Sequence, residues 1–200
     1  MINIYIVDSK KINIKDDFYN HLPSRKLKKV QASTNELFIK EQLISQRLLN
    51  DILESDYELD LATIEYVYNE QGKPYLKDLD LYFSVSHSNG VIAVGVNEAE
   101  FGIDLELVKA VPSKVITKVL TPNELNIYST LNEKAKSEYF FKIWTKKEAI
   151  VKKQGTSIVF NANKIETDEN IYTTSFKLGH EQYILSSTIS DVKLIIKEKI

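Results

Sequence analysis

Residues 101–108 read FGIDLELV, and their alternation decides how the chain is put together. In an extended segment successive side chains point to opposite faces. Phe101, Ile103, Leu105 and Leu107 therefore share one face, and Gly102, Asp104 and Glu106 share the other. The first face is apolar and suits a core; on the second, two carboxylates stand about 7 Å apart at Cα. Taken alone, the acidic side is the solvated face of an edge strand. Whether it does more depends on what the rest of the chain sets against it.

Upstream, the polar turn NEAE (97–100) is preceded by two strand-like runs, LYFSVSHS and VIAVGVN, joined by Ser, Asn and Gly within residues 86–90, which predicts a hairpin. GKPYL (72–76) opens as a turn, residues 2–7 predict a strand, and residues 35–54 a helix with Leu37, Ile44, Leu48 and Leu49 among its apolar positions. Between them the tract SRKLKKVQ carries four basic residues broken by Leu27, and serves either as a solvated helix face or as an anion contact.

Downstream, TPNE (121–124) reads as a helix start, with Thr121 as N-cap, Pro122 at the first helical position and Glu124 placed for a capping box. A further helix is predicted over 137–153, stopping at Gly155. The tail alternates strand-like pieces, SIVF, IYTTSFKL, YILSSTI and VKLIIKEKI. The class is α+β without a βαβ rhythm. A helix followed by strands occurs in each half, so two similar halves, 1–98 and 99–200, are expected.

With 200 residues, 43% hydrophobic and 27% charged, the chain can bury one sizeable core or two small halves, and the disordered class is excluded. A net charge of −2 argues against a protein built to grip nucleic acid or an anionic membrane, so partner recognition must be local. The absence of cysteine rules out disulfides, thiolate zinc sites and a cysteine nucleophile. The N-terminus lacks a signal-peptide pattern and no apolar run approaches the roughly 18 residues of a membrane span, so a cytoplasmic, unprocessed chain is expected.

The helix SEYFFKIWTKKEAIVKKQG changes the meaning of the acidic strand face. At 100° per residue, Phe140, Phe141, Ile143, Trp144, Ile150 and Val151 form an apolar arc; Lys147 and Glu148 fall inside it and Lys152 at its edge. An ionised group on a core face is costly unless paired or metal-bound. Either Glu148 and Lys152 form an (i, i+4) ion pair on the helix shoulder, or they belong to a site. Asp104, Glu106 and Glu148 would suit a hard divalent cation such as Mg²⁺, and Lys147 and Lys152 beside them would suit charge on a transferred phosphoryl group. Ser86, His87 and Ser88 end a strand, where hydroxyls and an imidazolium can bind phosphate.

In this order and at these separations, GKPYL, FSVSHS, FGIDLE and FFKIWTKKEAIVKKQG resemble the Sfp-type 4′-phosphopantetheinyl transferases, closely over residues 72–155. The resemblance implies a pseudo-twofold α+β fold with coenzyme A in the cleft between two halves. It also implies transfer of the phosphopantetheine arm from coenzyme A to a serine of an apo acyl or peptidyl carrier protein, releasing adenosine 3′,5′-bisphosphate, in fatty-acid, polyketide or nonribosomal-peptide synthesis. Carried onto this chain, Asp104, Glu106 and Glu148 match the Mg²⁺ ligands and Lys152 the lysine at the phosphate under attack, with Lys147 as a neighbouring helper. Lys73 matches a nucleotide contact, and Ser86 and His87 match contacts of the 3′-phosphate. The tract with Arg25, Lys26, Lys28 and Lys29 resembles the family's N-terminal phosphate-binding region.

Glu124 matches a glutamate proposed in some members as the base for the carrier serine, yet its capping role explains it fully. Where members commonly carry an arginine at the front of the first long helix, this chain has Asn35 and Glu36. Lys109, Lys114 and Lys118 are candidates for a basic rim facing an acidic carrier. The resemblance suggests a monomer. A catalytically weak carrier-binding or coenzyme A-binding module of the same fold is the competing reading; another Mg²⁺-dependent phosphotransferase lacks the glycine pattern it would need.

Overall fold

Alternating apolar residues let the first strand serve two cores at once. In β1 (Ile2–Asp8), Ile2, Ile4 and Ile6 face one apolar cluster while Tyr5 and Val7 face another. The computed structural model describes residues 1–156, 162–167 and 169–200; the predicted strand SIVF at 157–160 lies outside them.

After β1, the basic tract forms α1 (Ser24–Gln31), and α2 (Glu36–Ser55) follows with the Asn35 side chain accepting the Phe38 amide as its N-cap. A small hairpin, β2 (Tyr66–Tyr68) and β3 (Pro74–Leu76), precedes the main hairpin of β4 (Tyr82–Ser88) and β5 (Val91–Asn97). The expected turn within 86–90 is tighter than the sequence suggests. β4 runs through Ser88, and Asn89 and Gly90 alone make the turn, both at positive φ (51° and 83°), as a two-residue hairpin with the right-handed strand twist requires.

The second half begins with β6 (Ile103–Leu107), continues through α3 (Ser113–Val119), α4 (Pro122–Thr130) and α5 (Glu133–Gln154), and ends with β7 (Tyr172–Leu178), β8 (Glu181–Ser187) and β9 (Val192–Lys197). Thr121 and Glu124 form the predicted capping box of α4. Helix α5 starts four residues earlier than its apolar arc indicates, because Asn132 caps it, and stops at Gly155 in the left-handed region.

Two larger sheets result. One has the order β4-β5-β1-β9, with β1 and β9 parallel, and the other β6-β8-β7. The last strand of the chain thus returns to the sheet of the first. Helix α2 packs on β5, and α5 packs on β6 and β8. Ile2, Ile4, Ile6, Val91 and Ala93 of the first sheet share a cluster with Ile103, Leu105, Tyr183 and Leu185 of the second. The outer face of each sheet is covered by its helix, so the order of layers is helix, sheet, sheet, helix. Each large aliphatic side chain fully buried this way contributes about 1.5–3 kcal/mol. Among the described residues no helix is long and apolar enough to cross a membrane.

β6 is the edge strand of its sheet, and β4 crosses against it. The hydroxyl oxygens of Ser84, Ser86 and Ser88 accept the N–H groups of Ile103, Leu105 and Leu107 at 3.0, 3.1 and 3.1 Å. Every second residue of β4 thereby satisfies every second amide of β6, and the two sheets meet along a seam of side-chain hydroxyls. On its other flank, β6 starts directly on α5. A Cβ at Gly102 would lie 2.0 Å from the Ala149 carbonyl oxygen and 2.6 Å from the Lys153 nitrogen.

Gly102→Ala therefore forces strand and helix apart and lowers stability by about 3 kcal/mol or more. Gly179→Ala, at a left-handed turn position where a Cβ meets nothing within 4 Å, costs about 1–2 kcal/mol. Urea denaturation of both variants measures the difference; equal losses would contradict the close packing of β6 on α5.

Candidate active site

Asp104 is only 4% exposed, so the expected solvated face of FGIDLELV does not form: both faces of β6 are covered. Lys152 reaches across from α5 to it. The ammonium stands 2.8 Å from Asp104 Oδ1, 2.9 Å from Ser86 Oγ and 3.4 Å from the Val85 carbonyl oxygen. The helix-shoulder pairing of Lys152 with Glu148 is replaced by this bridge to β6, because Gly102 lets the helix lie so close to the strand. Asp104 Oδ2 is buried without a hydrogen-bond partner among the described residues.

Glu106 Oε2 accepts the Ser88 hydroxyl at 2.7 Å, and the Trp144 indole N–H approaches Oε1 at 3.4 Å. Burial pushes the Glu106 carboxyl above its ordinary range against the pull of Ser88, and the negative charge of Asp104 adds to the rise. Glu148 is pushed up to about 7, first by burial and then by Asp104, with Lys152 opposing and Glu106 adding a little. Asp104 and Glu148 thus share the Lys152 ammonium while Glu106 feels Lys109, and the charge the three acids lack can be supplied by a cation. Among the described residues no three His, Cys, Asp or Glu side chains already converge as a metal cage; what suits a hard cation is the all-oxygen donor set and the orphaned Asp104 oxygen.

Beyond Lys152 opens a cavity of about 400 Å³ lined by Arg25, Lys26 and Lys29 of α1, by Lys73, by His87 and by Lys152 itself. It is a basic cavity. The Lys26 ammonium donates to Ser45 Oγ at 3.0 Å and Gln46 Oε1 at 3.3 Å. Its pKa falls to about 7 because it is buried and beside Lys29. His87 Nδ1 lies 3.0 Å from Glu41 Oε2. Glu41, 6% exposed, also accepts the Gly90 amide at 3.0 Å, and His87 holds its carboxyl low against the cost of burial. Lys73 lies on the rim, 2.7 Å from both Glu100 Oε1 and the Lys153 carbonyl oxygen, where it complements the C-terminus of α5. Lys109, Lys114 and Lys118 are exposed at and after the end of β6.

Three expected roles change with the structure. Lys147 is fully buried and does not reach the acids. Its ammonium donates to Glu124 Oε2 at 2.6 Å and to the Val119 carbonyl oxygen at 2.7 Å. Glu124 is correspondingly occupied: the same oxygen accepts the Thr121 amide at 2.8 Å, and Oε1 accepts the Thr167 hydroxyl at 3.3 Å. The pair ties α4 to α5 instead of serving as helper and base. Ser86, expected at a phosphate, points to Asp104, Leu105 and Lys152. Sequence reasoning passed over Ser84, expected Ser88 at a phosphate and placed Trp144 in the apolar arc; their partners lie on other elements. It also passed over Glu41, although an acid on the apolar stripe of α2, three before Ile44, carries the same signal as Glu148.

Lys147→Met strands a buried carboxylate and lowers stability by about 3–5 kcal/mol; the double change with Glu124→Gln recovers much of it. Unchanged stability in Lys147→Met would contradict the anchoring role. Glu148 gives a pH signature. Its folded pKa of about 7 stands above the ordinary 4.5, so between these values the folded protein holds a proton the unfolded chain has released. Stability is present at low pH and declines as pH rises through 7. With chelator present, Glu148→Gln should gain stability over the unsubstituted protein between pH 5 and pH 8, measured by denaturation. A difference that does not vary with pH would overturn the assignment.

Residues 100–191, which carry Asp104, Glu106, Glu148 and Lys152, match the family model of the 4′-phosphopantetheinyl transferase superfamily. A 4′-phosphopantetheinyl transferase of Bacillus subtilis is 26% identical over 153 residues, covering 74% of this chain and 68% of the relative. The transferase Sfp of Bacillus subtilis strain 168 is 26% identical over 117 residues, 58% of this chain and 52% of the relative. The transferase AcpT of Escherichia coli K12 is 33% identical over 122 residues, 59% and 60%. The chain spans between half and about two thirds of the length of these curated relatives. Fold, acid cluster and matched stretch agree: residues 100–191 carry the pattern of the 4′-phosphopantetheinyl transferase superfamily, and the chain is similar to its Sfp-type members.

Proposed function

We propose that the protein, a cytoplasmic monomer, transfers the 4′-phosphopantetheine arm of coenzyme A to a serine of an apo acyl or peptidyl carrier protein, releasing adenosine 3′,5′-bisphosphate. One observation carries the reading: Lys152 belongs both to the buried acids, through Asp104, and to the basic cavity. An anionic donor seated among Arg25, Lys26, Lys29 and His87 would bring its phosphates to the ammonium and the carboxylates together.

In the transfer, the serine oxygen forms a bond to the β-phosphorus of coenzyme A. The bond from that phosphorus to the bridging pyrophosphate oxygen breaks, and the serine proton goes to a base. Lys152 stabilises charge on the phosphoryl oxygens. Glu148, beside Lys152 and Asp104, suits the proton acceptor, whereas Glu124 is held by Lys147. Asp104, Glu106 and Glu148 would hold Mg²⁺, which when bound supplies charge neutralisation to the pyrophosphate. The exposed Lys109, Lys114 and Lys118 would face the acidic carrier.

Incubation with coenzyme A, Mg²⁺ and a panel of apo carrier proteins should place the phosphopantetheine mass on a carrier serine, read by mass spectrometry. Asp104→Ala should reduce transfer roughly 100-fold or more while the fold persists. Coenzyme A binding without transfer to any carrier would favour a binding module, and activity with unchanged metal dependence in Asp104→Ala would remove the metal assignment.

A further inference from the structure

The middle rung of the hydroxyl seam carries more than its neighbours. Ser84 accepts the Ile103 amide; Ser88 accepts the Leu107 amide and donates to Glu106. Ser86 accepts the Leu105 amide at 3.1 Å and the Lys152 ammonium at 2.9 Å, and donates its own proton to Asp104 Oδ1 at 2.8 Å. A serine hydroxyl has one proton and two lone pairs, and here all three are engaged in a residue 4% exposed. It keeps no capacity for a ligand phosphate. On the same strand Phe83, Ser84, Val85 and His87 line the cavity, and Ser86 is not part of its lining.

We propose that Ser86 is a positioning residue for the transfer reaction: its hydroxyl locks Asp104 and Lys152 into one arrangement in which Oδ1 is committed and Oδ2 is left to a cation. The proposal rests on the reading of the site as a phosphopantetheinyl transferase centre. The physical need is clear from the groups themselves. A carboxylate rotates about its last bond and a lysine about four, so neither holds its direction without a third contact. Ser86 supplies that contact from a backbone fixed by pairing with β5, and its hydroxyl is held in place by the Leu105 amide. Partners of this kind, one step behind a metal ligand, typically change metal affinity or activity by 10–100-fold when removed.

The test uses the full chain as wild type, Ser86→Ala, Ser86→Thr and Ser84→Ala, the last to control for losing a seam rung that touches neither Asp104 nor Lys152. Magnesium affinity is measured by calorimetry without coenzyme A. Transfer kinetics are measured with coenzyme A and with coenzyme A lacking its 3′-phosphate. Ser86→Ala should weaken Mg²⁺ binding and lower kcat by about 10–100-fold, by the same factor for both donors and with little change in KM. Ser86→Thr should restore most of the loss, and Ser84→Ala should leave magnesium affinity near wild type.

A rise in KM for coenzyme A that is absent with the donor lacking the 3′-phosphate would overturn the proposal and make Ser86 a phosphate contact. Unchanged magnesium affinity in Ser86→Ala, or none in wild type, would overturn it as well. Should Ser86→Ala fail to fold, Ser86→Cys keeps the shape with a weaker donor and serves the same measurements. Wild type that binds Mg²⁺ but transfers to no carrier would defeat the functional reading, and the calorimetric comparison would still decide whether Ser86 sets Asp104.

Discussion

Three serine hydroxyls on β4 stand where a neighbouring strand would stand, and the arrangement of the molecule depends on them. The β6 edge offers the amides of Ile103, Leu105 and Leu107 to a region buried between two sheets, where an unmatched N–H costs about as much as a lost hydrogen bond. Ser84, Ser86 and Ser88 meet them in register. An ordinary ladder would fuse the two sheets into one. Side-chain rungs let β4 cross β6 without fusing the sheets, and leave room at the crossing for Asp104, Glu106 and Lys152.

The same crossing explains why charged groups tolerate burial there. The hydroxyls of Ser86 and Ser88 turn their protons to Asp104 and Glu106 while their lone pairs serve the backbone. Each rung therefore supports the fold and the acids together. Gly102 completes the arrangement from the other flank, since only a residue without Cβ lets α5 come close enough for Lys152 to span to Asp104. Buried negative charge that exceeds its protein partners is a condition a metal or a proton can relieve, and Glu148, raised to about 7, takes the proton when no cation is bound. The buried Lys147–Glu124 pair, by contrast, is closed on itself with its partners satisfied, which makes it a strut.

Much of this was legible in the sequence. The alternation of FGIDLELV marked the strand and its two acids, the TPNE box marked the start of α4, and the charged residues on the apolar arc of α5 marked Glu148 and Lys152. What the sequence could not separate is direction. Lys147 lies inside the apolar arc and Lys152 at its edge, yet one turns to α4 and the other to β6, because helical spacing states neighbours along one helix and not across to another element. The serines carried a signal, three hydroxyls at alternate positions, but the same pattern fits a phosphate site and a strand seam equally well. The return of β9 to the first sheet likewise depends on pairing with β1, nearly the full chain length away.

The central claim is that side-chain hydroxyls close the β6 edge, and amide hydrogen exchange in the unliganded protein tests it directly. The amides of Ile103, Leu105 and Leu107 should be protected to the same order as those of Asp104 and Glu106 in the same strand. In Ser84→Ala the Ile103 amide alone should lose that protection. Exchange of all three amides at the rate of a solvent-exposed edge in the unsubstituted protein would contradict the account.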